Sequence, residues 1–212
     1  MREIYNANNL KVYADSEEHV FERIERILRY SYILKYGDSQ AVFYIGETAK
    51  GCIITVKGNK VTMEGDVPDA DFDNTGFDLT LKGNIHLTEG DWIGSSKSQY
   101  THSVHDTSSL RVYQYAPHNH TYFLYDNAEF IADFIEAGSN CDVLAYDNSR
   151  VLLSNDVEEE CTITLYDNST ANIRGTDSTV WAYDNSKVIS EDDENIHLFD
   201  NAKCYKYQVS LM

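Results

Sequence analysis

The chain has 212 residues with 35 acids against 17 bases, a net charge of −18, 42% hydrophobic residues, two prolines and sixteen tyrosines. That length supports one domain with a sizeable core, and the apolar content excludes general disorder. No apolar run approaches the ~20 residues of a membrane span, the N-terminus lacks the apolar stretch of a signal peptide, and strong acidity repels nucleic acid and membranes while attracting basic partners; a cytoplasmic location is expected.

Residues 1–35 read as an opening strand around Leu10, Val12 and Tyr13, followed by a helix. Asp15 is placed as an N-cap with Glu18 at the capping-box position. Val20, Ile24, Ile27 and Leu28 recur at helical spacing, which predicts an amphipathic helix over 16–30. At the head of a repeat array such a helix caps the first coil and covers an exposed sheet edge.

From about residue 32 the pattern turns to strands and turns. Tyr32–Leu34 leads into Gly37-Asp38, Ile53–Val56 into Gly58-Asn59, Leu79–Leu81 into Gly83-Asn84, and Val104 into Asp106-Thr107. Asp38, Asn59, Asn84 and Thr107 are taken as corner equivalents in degenerate coils over 36–120. Regular coils follow over 121–212, where one motif recurs five times. It reads Tyr125-Asp126-Asn127-Ala128, Tyr146-Asp147-Asn148-Ser149, Tyr166-Asp167-Asn168-Ser169, Tyr183-Asp184-Asn185-Ser186 and Phe199-Asp200-Asn201-Ala202, with Asn-to-Asn steps of 21, 20, 17 and 16 residues. Before each copy, pairs such as Val143/Ala145 and Ile163/Leu165 are two apart and share one strand face. After each comes another apolar residue: Phe130, Val151, Ala171, Val188 and Cys204. Both sets are assigned to the interior. A period near 20 with this phase predicts an all-β fold, a single-stranded right-handed β-helix (β-solenoid) with an N-terminal amphipathic capping helix.

Within the motif, Asp and Asn are turn residues, and Asn tolerates left-handed backbone. Stacked coils place Asn over Asn, so an internal amide ladder is expected, with Ser or Ala filling a tight corner. Aspartates stacked ~4.8 Å apart repel by about 1 kcal/mol per pair even in water, and must be solvated, bonded to backbone N–H groups or bridged by a cation. No metal or other cofactor is expected, because glycine-rich calcium nonapeptides are missing. Tyr125, Tyr146, Tyr166, Tyr183 and Phe199 follow an inward residue and should point outward, as a stabilising ladder or a binding face. A second candidate surface is acidic: Asp156, Glu158, Glu159 and Glu160 in one connection, Asp177 in the next, and Glu191, Asp192, Asp193 and Glu194 in the one after, aligned along one edge. The 101–212 half holds 19 acids and six bases, against 16 and 11 in residues 1–100. His102, His105, His118 and His120 are read as surface or turn positions. Cys141 and Cys161, each seven residues before a motif Asn, should stack within reach of one another as reduced core fillers.

The segments Ala145-Tyr146-Asp147-Asn148-Ser149-Arg150-Val151 and Ala182-Tyr183-Asp184-Asn185-Ser186-Lys187-Val188 resemble right-handed β-helix proteins of gut bacteria, their phages and mobile elements, with tandem A-(aromatic)-(D/G)-N-(S/A)-x-V coils. The resemblance spans about residues 121–204. It implies the fold and no common activity, and it departs from pectate-lyase-like helices in lacking their calcium acids and catalytic arginine. The functional expectation is a non-enzymatic acidic interaction protein. Its partner would be a basic protein surface, best a nucleic-acid-binding defence enzyme masked by an anti-CRISPR-like inhibitor or DNA mimic in the host cytoplasm. Direct nucleic-acid or membrane binding is not expected. The alternatives are a carbohydrate-binding or carbohydrate-cleaving β-helix working through the outward tyrosines and aspartates, and a purely structural solenoid.

Overall fold

The computed structural model describes residues 4–6, 9–14, 39–45, 51–57, 60–73, 78–91, 99–114, 119–135, 140–154, 157, 161–174, 178–191 and 195–207. These residues form eighteen strands and the turns between them. The helix expected over 16–30, with its capping role, lies outside them, as does Asp38.

The opening strands are β1 (Ile4–Asn6), β2 (Asn9–Ala14), β3 (Ser39–Ile45), β4 (Gly51–Lys57), β5 (Lys60–Asp73) and β6 (Asp78–Asp91). β2 and β3 pair in parallel, but β3–β4 and β4–β5 are antiparallel. Lys57 faces Lys60 across the second of these pairs; Asn59, expected as a corner, lies outside the described residues. The residue in register with Asn84 is Asp66.

From β5 onward every pairing is parallel. β5 runs beside the whole of β6. The two halves of β6 then start two ladders. The first continues through β7 (Gln99–Val104), β9 (Asn119–Leu124), β11 (Asn140–Ala145), β13 (Cys161–Leu165), β15 (Thr179–Ala182) and β17 (Ile196–Leu198). The second continues through β8 (Ser109–Gln114), β10 (Glu129–Ile135), β12 (Arg150–Leu153), β14 (Thr170–Ile173), β16 (Lys187–Ser190) and β18 (Lys203–Lys206). Each coil thus supplies one strand to each ladder, joined by the repeated motif. The chain is a β-solenoid.

Alternation fills the space between the ladders. Tyr122, Leu124, Val143, Ala145, Ile163, Leu165, Val180 and Ala182 from the first ladder are buried with Phe130, Val151, Ala171 and Val188 from the second. Sizes are matched within coils: Ala145 with Val151, Leu165 with Ala171, Ala182 with Val188. Interdigitation of this kind lets one narrow cross-section be filled coil after coil. Cys141 and Cys161 are in-register partners, buried and unbonded. In the last coil the same inward positions open up: Leu198 is 43% exposed, and Ile196 and Cys204 are only partly buried.

The exception to the apolar interior is a polar cluster near β6. Glu89 reaches from the second-ladder half of β6 to His102 on β7, with Nε2–Oε2 at 3.2 Å and both side chains almost fully buried. His120 packs edge-on to His102 at 5.3 Å and meets the Tyr122 hydroxyl at 3.1 Å through Nδ1. The expectation of surface histidines is therefore corrected for His102 and His120. Strand parity places them in inward columns: His102 stands in register with Leu79 and Tyr122, and His120 with Cys141. His118 lies outside the described residues.

Candidate functional site

The repeated corner is built by its aspartate. In each copy the fourth residue of the motif closes the turn, as where Ala128 N–H donates to the Tyr125 carbonyl at 3.0 Å and Ser149 N–H to the Tyr146 carbonyl at 3.1 Å. Asp106, Asp126, Asp147, Asp167, Asp184 and Asp200 all hold φ between 56° and 61°, the left-handed region in which Asp is one of the few tolerated side chains. Upstream, the equivalent positions are Gly65 and Gly83, with φ of 150° and 91°. A Cβ at Gly83 would stand 2.3 Å from the Gly65 carbonyl oxygen, so that corner has no room for a side chain. The sequence expectation gave the left-handed role to Asn; the structure gives it to Asp.

The same aspartates bind the coils together. The N–H of Asp106 donates to the Asp126 carboxylate at 3.1 Å, Asp126 to Asp147 at 3.0 Å, Asp147 to Asp167 at 3.1 Å, Asp167 to Asp184 at 3.0 Å and Asp184 to Asp200 at 3.4 Å. Gly83 N–H donates to Asp106 at 2.8 Å. Each carboxylate therefore serves the coil before it. A charge-assisted bond to backbone contributes about 1.5–3 kcal/mol where it is shielded, and less at an exposed corner like this one. It offsets a repulsion of about 1 kcal/mol that solvent and salt further screen.

The expected internal asparagine ladder is overturned. Asn127, Asn148, Asn168, Asn185 and Asn201 are exposed, and the buried corner residue is the following Ala or Ser. Ser149 and Ser169 hydroxyls donate back to Tyr146 and Tyr166 carbonyls at 2.6 Å. A side-chain ladder occurs upstream, where Asn84 Nδ2 donates to Asp66 at 3.0 Å and Thr107 Oγ1 to Asn84 Oδ1 at 3.2 Å.

Tyr125, Tyr146, Tyr166, Tyr183 and Phe199 are brought together as one column. Successive ring centroids are 5.2, 5.0, 5.3 and 4.8 Å apart and planes differ by 6° to 12°. His105 extends it by stacking on Tyr125 at 4.7 Å. Coplanar rings do not fit side by side at 5 Å, so the faces overlap, and what points outward is ring edge and phenol hydroxyl. Burial, reinforced by neighbouring Tyr166 and Tyr125, raises the Tyr146 pKa above its usual 10.0. Burial also lowers His105, helped by Lys82 and opposed by Asp126 and Asp106, so it stacks as a neutral ring at pH 7. His105 was missed because it replaces Tyr in a coil lacking the full motif. Alternate residues give a second stack, Trp181 on His197 at 4.2 Å.

Of the acidic positions expected to bind, Glu191 is exposed directly after β16. Asp156, Glu158, Glu159, Glu160, Asp177, Asp192, Asp193 and Glu194 lie outside the described residues. Within the described residues beyond 100, the bases are confined to one ladder, while acids occur on both, with Glu129, Asp133 and Glu191 on or directly after strands of the second. The first ladder and its corner carry Asp106, Asp126, Asp142, Asp147, Asp167, Asp184 and Asp200 and no Lys or Arg. All six bases of that half, Arg111, Arg150, Arg174, Lys187, Lys203 and Lys206, lie on or directly after strands of the second ladder. The described residues show no group of three His, Cys, Asp or Glu placed to hold a metal ion, and no helix long and apolar enough to cross a membrane. Compared with protein-family models, curated proteins and solved structures, the chain matches none, and its site rests on its own geometry.

Proposed function

We propose that this chain is an acidic interaction protein whose corner edge docks onto a basic, nucleic-acid-binding surface of another protein, acting as a charge mimic of a nucleic-acid strand. The observation that carries the reading is the exposed column Asp106–Asp126–Asp147–Asp167–Asp184–Asp200, one carboxylate per coil on a rigid parallel ladder. Its charge spacing is ~4.8 Å per coil, against ~3.4 Å per phosphate along one strand of DNA. Neighbouring phenol edges add hydrogen-bonding groups beside the charge. A host-cytoplasmic inhibitor carried by a phage or mobile element, of the anti-CRISPR type, is the setting this chemistry suits.

The carbohydrate reading through the tyrosine column has less support. A sugar platform needs exposed ring faces, and here the faces cover one another. The test is capture from a bacterial lysate with increasing salt and with competing DNA. A specific partner should elute with either, because both attack the same charge contacts. Changing Asp126, Asp147, Asp167 and Asp184 together to Asn keeps an acceptor for each backbone N–H and should abolish capture while the fold persists. A partner that stays bound in salt and DNA, or that binds the Asn variant equally, overturns the mimic.

A further inference from the structure

The opposite side of the solenoid carries a different site. The outer face of the second ladder holds a concavity of about 440 Å3 spanning β10, β12 and β14, within the ~300–1,000 Å3 range of small-molecule sites. One register column supplies Ile131, Leu152 and Asn172. Beside it stand Asp133, Ser154 and Arg174. The hollow coincides with a break in regularity: the β8–β10 register slips by one residue at Asp133, which leaves Ala132 opposite Val112 and Phe134 opposite Tyr113. Such a bulge bends a strand and re-aims a side chain.

Asn172 is the informative residue. Its register neighbours are Leu152 and Ile189, so no polar side chain lies above or below to share its amide. Its Oδ1 is buried and has no hydrogen-bond partner among the described residues. At the Asn84 corner, by contrast, polar side chains are paired along the axis, Asn84 with Asp66 and Thr107. A buried acceptor without a donor is unfavourable, and it borders the hollow.

The other walls are already partly engaged. Asp133 holds Arg111 Nε at 3.3 Å, and its hydrogen bond raises the Tyr113 phenol above the usual range. The Ser154 hydroxyl donates to the Asp133 carbonyl at 2.5 Å. The Arg174 guanidinium lies 4.4 Å over the Tyr207 ring and keeps donors to offer.

We propose that this hollow binds a saccharide unit. The occupant must donate a hydrogen bond to Asn172 Oδ1, accept from Arg174, and lay an apolar C–H face on Ile131 and Leu152. A sugar ring does all three: its hydroxyls both donate and accept, and its axial C–H face is apolar. The phosphates of a nucleic acid carry acceptors only and leave Asn172 Oδ1 unanswered, so a phosphate backbone is the poorer match despite the bases on this face. The inference is independent of the charge-mimic reading, which uses the other ladder.

The test is a chemical-shift titration of the whole chain with methyl glycosides of glucose, galactose, mannose, N-acetylglucosamine and glucuronate, and with oligosaccharides of each. Glycosides alone suffice if the site takes a free sugar; a requirement for oligosaccharides identifies a glycan chain as the source. At least one series should bind saturably, with shifts centred on Ile131, Leu152 and Asn172. Asn172→Leu continues the aliphatic column, so it should leave the thermal midpoint unchanged or raised while weakening the sugar about tenfold or more. Arg174→Ala, at an exposed position, gives a second reading of the same loss should the first variant fold poorly. The corner Asp→Asn variant should bind the sugar normally, which separates this result from failure of the protein-docking reading. No binding across the panel, binding that survives Asn172→Leu, or displacement of the sugar by a single-stranded oligonucleotide overturns the proposal.

Discussion

Asp147 does two jobs with one side chain. It sits at φ 58°, and its carboxylate receives the Asp126 N–H at 3.0 Å. Asp147→Ala removes the acceptor and leaves a left-handed position to a residue that dislikes it; the expected loss is roughly 1–2 kcal/mol by denaturant melt. Asp147→Gly loses the same acceptor but relieves the backbone, so it should cost less than Ala. The reverse order would show that the left-handed backbone does not govern the cost at this corner. His102 makes the second residue-scale case. Burial pushes its pKa down, but the Glu89 charge and hydrogen bond outweigh burial and hold it above 6.5. Protonation sacrifices only a long 3.3 Å bond from Leu79 N–H to Nδ1. With the folded value raised, the pair's stabilisation is fully present below pH 6.5 and is lost as pH rises through the folded pKa. The thermal midpoint should therefore decline as pH rises above 6.5 through the folded pKa, and the decline should vanish when His102 and Glu89 are both replaced by Gln. A midpoint equally pH-dependent in the double variant would remove His102 from the account.

At the scale of the strand, each coil's width is set by size matching. Leu165 pairs its bulk with the small Ala171, between coils that use Ala145 with Val151 and Ala182 with Val188, all buried. Leu165→Ala should cost about 2–5 kcal/mol, because its rigid neighbours cannot collapse into the gap. Adding Ala171→Leu in the same chain should recover part of that loss, measured as a double-mutant cycle. Simple additivity of the two changes would show that they do not share a space. These strands were the most legible part of the sequence. A period of two fixes which side chains turn inward, and the recurring corner fixes the phase. The antiparallel pairing of β4 with its neighbours was not legible, because local turn chemistry does not reveal whether the next strand runs parallel or antiparallel.

For the whole molecule, legibility divides along the same line. The stacked aromatics could be anticipated from one recurring position, since a repeat at fixed phase in a solenoid means vertical neighbours. The division of labour inside the corner could not. Asp and Asn have similar turn preferences, and only the conformation shows that Asp takes the left-handed angle while Asn faces solvent. The inward histidines depended on strand parity in coils where the motif is incomplete. The confinement of the bases depended on knowing which strand belongs to which ladder: Arg150, Lys187 and Lys203 each follow a corner by one residue, which places them on the second face. The register slip at Asp133 and the hollow beside it leave no mark in the repeat.

The direction of the aspartate bonds has a further consequence, for the order in which the chain can be completed as it is synthesised. Every such bond runs from a backbone N–H to a carboxylate 16 to 23 residues later in the chain. A newly made coil can dock on its predecessor at once, because no contact of this kind reaches further back than one repeat. Loop-closure cost therefore stays small and nearly constant along the ribosome's path. Yet each corner remains unfastened until the following coil has been made. Growth is thus processive from the N-terminal side, with a single provisional coil at the advancing end and a locked array behind it.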